Sequence, residues 1–152
     1  MGIVERIRSS LSPRIRLLRQ FAETAGRAET LAANLARHAE LCIFPTLKAG
    51  LEQLTAAEAT QANAMRELLF ENGSWPQTPK PSAHDGSNNW ERLRSDLDLQ
   101  VEILRALHFQ LAEWASIDAA VADRLRQFAE EEDRNIWQLR DLTLKCDPQA
   151  LD

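Results

Sequence analysis

Two pairs of side chains, Glu58 with Gln61 and Glu132 with Asn135, have the types and the spacing to do chemistry. Each pair interrupts an apolar stripe that otherwise recurs at helical steps; around the second pair the stripe reads Val121, Leu125, Phe128, Glu132, Asn135, Leu139. Residues three apart share one face of an α-helix, so both members of a pair reach the same point. Gln100 interrupts a third stripe, and Glu29, one step off a fourth, joins the candidate set. Carboxylate and amide oxygens converging from several helices can serve as ligands for a metal ion. Without metal, the same groups form a hydrogen-bonded network in which two facing carboxylates repel until one takes up a proton.

Four predicted helices must carry these residues. The first spans about 13–42, starting at the Ser12–Pro13 cap. Its stripe is Leu18, Phe21, Ala25, Ala28, Ala32, Leu35, Ala39 and Cys42, and Pro45 stops it. The second spans about 46–72 and ends at Gly73, which suits a left-handed C-cap. Its stripe of Leu47, Leu51, Leu54, Glu58, Gln61, Met65 and Leu68 runs unbroken through "TAAE" (55–58), so that capping-box pattern does not start a helix. The third spans about 88–115 from the Asn88 and Glu91 capping pair, with the stripe Trp90, Leu93, Leu97, Gln100, Leu104, Leu107 and Leu111. The fourth spans about 117–145. Between the second and third lies one long linker, 74–87, with three prolines. Helices of about 27 residues are each about 40 Å long. Equal lengths and heptad-like spacing predict one all-α antiparallel four-helix-bundle domain over 13–146, preceded by a basic segment, 1–12. The interruptions fall at mid-length, so the fold predicts one buried polar slab between apolar layers.

This arrangement resembles the ferritin-like superfamily, especially its bacterioferritin and rubrerythrin branch. "DLDLQVEILRAL" (96–107) looks like that family's third helix, with Gln100 at a metal-ligand Glu position. "IDAAVADRLRQFAEEEDRNIWQLRDL" (117–142) looks like its fourth, with Glu132 and Asn135 on the Glu and His of Glu-x-x-His. "EATQ" (58–61) matches the second helix's pair, with Gln61 in place of His. The likeness implies a ferritin-like antiparallel bundle with a long crossover between helices two and three, and Cys42 and Cys146 at one pole. In the family, a Glu from each of two helices and a Glu-x-x-His from each of the other two hold two irons.

The departures define a degenerate di-iron site at Glu29, Glu58, Gln61, Gln100, Glu132 and Asn135. Neither histidine is present and one ligand Glu is Gln. Two ferrous ions need several carboxylates and imidazoles, and amides coordinate weakly. The expectation is therefore a non-catalytic bundle with no cofactor, acting as a binding or assembly module toward a protein partner or a second copy. The surfaces proposed for this are Trp75, Trp114 and Trp137 and the Arg-rich first segment. The alternative is an iron- or manganese-dependent oxidoreductase, or an iron-handling protein, with an unusual Glu/Gln/Asn ligand set. A purely structural network and a single-metal site both remain open.

Other features are read as bland. His38 is expected at the surface near a helix C-terminus, His108 packed or half exposed, and His84 in the linker; none has metal-ligand spacing. Met65 fills core. Of "EEED" (130–133) only Glu132 points inward. The six Arg against two Glu in residues 1–27 are read as a solvated helix start, with an acidic partner or a membrane surface as the other possibilities. A net charge of −5 argues against nucleic acid. No apolar run is long enough for a membrane span, the first residues do not form a secretory signal, and two cysteines do not make a disulfide scaffold, so a cytoplasmic protein is expected.

Overall fold

The computed structural model describes residues 12–77 and 86–146. The basic segment before Ser12, and the part of the linker that holds Pro79, Pro81 and His84, lie outside them. The described residues form four helices and no strand: α1 (Pro13–Leu41), α2 (Pro45–Glu71), α3 (Asn89–Trp114) and α4 (Ala119–Lys145). Their ends follow from local chemistry. The Ser12 Oγ accepts from the Ile15 N–H, the Asn88 side chain from the Glu91 N–H, and the Asp118 carboxylate from the N–H groups of Ala120 and Val121. Each satisfies backbone donors that a first helical turn leaves without partners. Gly73, at φ 74°, closes α2 in the left-handed region. Pro45 both ends the run of α1 and opens α2, where its missing N–H costs nothing.

α1 packs against α2 and α3, and α4 against α3 and α2, leaving α1–α4 and α2–α3 as the diagonals. Arg14 fixes the directions. Its guanidinium donates to Asp118 at the start of α4 at 2.9 Å, and to Asn72 just past the end of α2. Arg16 reaches Glu113, near the end of α3, at 3.4 Å. One pole thus gathers the starts of α1 and α4 and the ends of α2 and α3. Every packed pair is antiparallel, and the connection from α2 to α3 crosses the bundle from pole to pole. Cys42 and Cys146 both lie at the far pole, where burial and the neighbouring Cys42 raise the Cys146 thiol above its ordinary range.

The first residues of the crossover lie against α1. The Gln77 N–H donates to the Ala22 carbonyl at 3.2 Å, and Gly26 lies buried directly beneath Gln77. A β-carbon at Gly26 would stand 2.5 Å from the Gln77 carbonyl oxygen, which belongs to backbone. At Gly50 a β-carbon would meet only the tip of the Leu142 side chain, at 2.8 Å. Gly26→Ala is therefore expected to lower the melting temperature by roughly 3 °C or more despite the better helix propensity of Ala. Gly50→Ala should leave it unchanged or higher. Thermal unfolding of both variants followed by circular dichroism checks the contrast.

Candidate functional site

The polar slab lies at mid-bundle and is built by three helices. Glu58, Gln61, Gln100, Glu132 and Asn135 are all buried and converge, with Leu51, Leu54, Leu93 and Leu139 on one side and Met65, Leu107, Leu125 and Phe128 on the other. Phe21 and Phe128 stack across the diagonal at 6.0 Å between ring centroids. Three amides supply donors. Gln100 Nε2 donates to Glu58 Oε1 at 2.6 Å and to Glu132 Oε2 at 3.2 Å. Asn135 Nδ2 donates to Glu58 Oε1 at 2.8 Å. Gln61 Nε2 donates to the Phe128 carbonyl at 2.7 Å and to Glu132 Oε1 at 3.2 Å.

Glu58 and Glu132 also face each other closely enough to share a hydrogen bond. Two charges cannot sit there uncompensated, and among the described residues no basic side chain bonds to either carboxyl group. The geometry decides which group keeps the proton. The donors reach Glu58 at 2.6 and 2.8 Å but Glu132 only at 3.2 Å, and shorter bonds favour the anion. Glu58 is the carboxylate and Glu132 the acid that donates to it. Burial, then repulsion from Glu58 and the hydrogen bond it donates, push Glu132 from its ordinary 4.5 up to about 9. Burial raises Glu58 too, against the hydrogen bonds it receives from Glu132, Asn135 and Gln100.

Glu29 does not join them. It lies on the flank of α1 and pairs with Arg66 of α2, whose Nε reaches it at 3.0 Å. Over its middle stretch α1 turns Thr24, Ala25, Ala28, Leu31 and Leu35 fully inward, and Glu29 is not among them. A residue one step from Ala28 is rotated by about 100° around the helix, enough to carry Glu29 out of the interior.

Other positions also differ from the sequence expectation. His38 is buried, not at the surface: its Nδ1 lies 2.5 Å from Asp96 Oδ2, with both side chains almost fully enclosed. Burial raises the Asp96 carboxyl and the His38 hydrogen bond holds it back. A second buried pair, Gln110 Nε2 to Thr24 Oγ1 at 2.9 Å, lies on the same α1–α3 interface beyond the slab. Trp114 is fully buried, capped by the Arg14 guanidinium 5.5 Å from its ring centroid, whereas Trp75 and Trp137 are exposed. His108 is exposed. The buried line of α3 runs Leu93, Asp96, Gln100, Ile103, Leu107, Gln110, Trp114, rotated from the one expected. The missed signal was Asp96, one helical turn before Gln100 on this line.

No protein-family model matches the chain, and no curated protein does. Among the described residues, no group of three or more His, Cys, Asp or Glu is arranged to hold a metal ion.

The proton on Glu132 links stability to pH. A carboxyl group whose folded pKa is raised stabilises the fold fully below its unfolded value, about 4.5, and loses that contribution as pH climbs toward about 9. Glu58 and Asp96 share the sign. Denaturant unfolding of the wild-type protein should therefore show stability falling from pH 5 to pH 9, by at most about 1.4 kcal/mol per pH unit for one proton. Glu132→Gln, whose amide can donate to Glu58 at any pH, should flatten the slope and be the more stable form at pH 9. An equal slope in both proteins would mean the proton is held elsewhere.

Proposed function

We propose that this chain is a ferritin-like bundle with a degenerate di-iron site, in which a shared proton and three amides stand where the metals would be, and that it serves as a cytoplasmic binding or assembly module rather than an enzyme. The observation that carries this reading is the direction of the amides. Gln61, Gln100 and Asn135 all turn N–H groups, not oxygens, toward the two carboxylates. That surrounding suits an anion and a neutral acid and opposes a cation. Two irons do not fit these residues, because the slab has two carboxylates and no imidazole. The crossover topology supports the family reading. Exposed Trp137, 5.7 Å from the Arg140 guanidinium, and exposed Trp75 offer the large amphipathic surfaces that protein interfaces favour. No helix among the described residues is long and apolar enough to cross a membrane.

A second reading has one specific support. Glu58 Oε2 and Gln100 Oε1 have no hydrogen-bond partner among protein atoms other than the proton assigned to Glu132. Two carboxylates and amide oxygens could hold one hard divalent cation such as manganese or iron, the ligand set of an unusual metal-dependent protein.

Elemental analysis separates the two. Protein purified without chelators should contain well under one iron, manganese or zinc per chain and should not speed the oxidation of ferrous ion. One or two metals per chain, lost on Glu132→Ala, would overturn the metal-free reading.

A further inference from the structure

Cys42 and Cys146 are the two cysteines of the chain, and each is the residue at which a helix stops: Cys42 caps α1 and Cys146 caps α4. The topology puts the ends of these diagonal helices at one pole, and the side chains there bring the two thiols together. Cys42 is buried, with the Phe44 carbonyl 3.7 Å and the Asn89 Nδ2 3.9 Å from its Sγ. The Asn89 carbonyl accepts from the Arg92 guanidinium at 3.2 Å, which fixes the amide with its N–H toward the sulfur. Phe44, Asn89 and Cys146 are walls of one cleft, and Cys146 packs against the buried cluster to which Cys42 belongs. Packing explains Cys42 as a small apolar residue. It does not explain Cys146, which is half-exposed and open to a solute where Cys42 is not.

We infer that Cys42 and Cys146 form a reversible disulfide across the α1–α4 diagonal, Cys146 being the thiol that meets the oxidant and Cys42 the one that resolves it. The oxidant is a low-molecular-weight disulfide such as oxidised glutathione. Cys146 Sγ, having given its proton to water, attacks one sulfur of that disulfide. An S–S bond forms to Cys146 as the external one breaks, and one small thiolate leaves and takes up a proton. Cys42 Sγ, deprotonated in turn, attacks the Cys146 sulfur, and the second small thiolate leaves and is protonated. Two protein thiols are oxidised, and one external disulfide is reduced to two thiols.

The helix ends allow this. Each cysteine's N–H bonds within its own last helical turn, where backbone gives most easily. Adjustment toward the roughly 4.4–6.8 Å between α-carbons that a disulfide requires is therefore cheap. Burial holds the proton on Cys146, so exchange is slow, and the pair follows a sustained redox poise rather than a brief burst of oxidant. The bond closes a loop of about 100 residues, which restricts the unfolded chain and makes oxidation a stabilising lock.

The full chain, purified reduced, is equilibrated in glutathione buffers from reducing to oxidising, quenched with acid, alkylated and measured by intact mass spectrometry. The wild-type protein should pass from two alkylated thiols to none at the single-chain mass of 17.2 kDa, with a Cys42–Cys146 peptide in the digest. Its melting temperature should rise by roughly 5–15 °C on oxidation and return with dithiothreitol. Cys42→Ala, which keeps a small apolar group in the core, should instead hold one glutathione on Cys146 and show no such rise. Cys146→Ser should leave Cys42 unmodified in the folded protein. The inference is overturned if the wild-type protein keeps both thiols in the most oxidising buffer, stops with glutathione on Cys146, links two chains, or melts lower with the internal bond closed. None of these results bears on metal content, so the metal-free reading of the slab stands or falls separately.

Discussion

Two carboxyl groups buried face to face, with no basic side chain to pair with, set the terms for the rest of this protein. Desolvating one carboxylate is expensive, and desolvating two side by side is prohibitive unless one becomes neutral. The proton on Glu132 meets that demand, and the amides of Gln100 and Asn135 stabilise the charge left on Glu58. These contacts join α2, α3 and α4 at one height. Sliding any of the three by one turn would part the donors from the acceptors, so the slab fixes register where apolar packing alone would tolerate several.

α1 is fitted to the bundle by other means. It brings no polar group to the slab, but two buried polar pairs, His38 with Asp96 and Thr24 with Gln110, hold it against α3 on either side of mid-height. Arg14 ties its first turn to α4 and to the residue after α2, and Gln77, at the start of the crossover, lies against Gly26. The polar contacts of α1 are thus with its neighbours and the start of the crossover, not with the carboxyl pair.

The helices were legible in the sequence because their ends carry local signals: Ser12 before Pro13, Asn88 before Glu91, and Gly73 in the only region of backbone space that strongly favours it. The slab was legible because a polar residue interrupting a long apolar stripe has nowhere to go but inward. What periodicity does not specify is the rotation of each helix about its axis to better than one residue. That error moved Glu29 from flank to interior, moved His38 from interior to surface, and shifted the buried line of α3 so that Asp96 and Gln110 went unnoticed. Trp114 was misjudged for a related reason: it is the last residue of its helix, where a periodic pattern has no further residues to confirm which way it faces.

The bundle consists of two helical hairpins, α1–α2 and α3–α4, and a half-turn about an axis between the carboxyl groups would carry one onto the other. Glu58 and Glu132 are each the fourteenth residue of the second helix in their hairpin, and each is followed three residues later by an amide. The correspondence fails on the first helices, since Gln100 of α3 has only apolar counterparts on α1. In a symmetric pair the proton would have two equivalent resting places and would be divided between them. Here the single amide from α3, nearer Glu58 than Glu132, lifts that degeneracy. An imperfect internal symmetry is what turns two chemically identical side chains into a defined acid and a defined base.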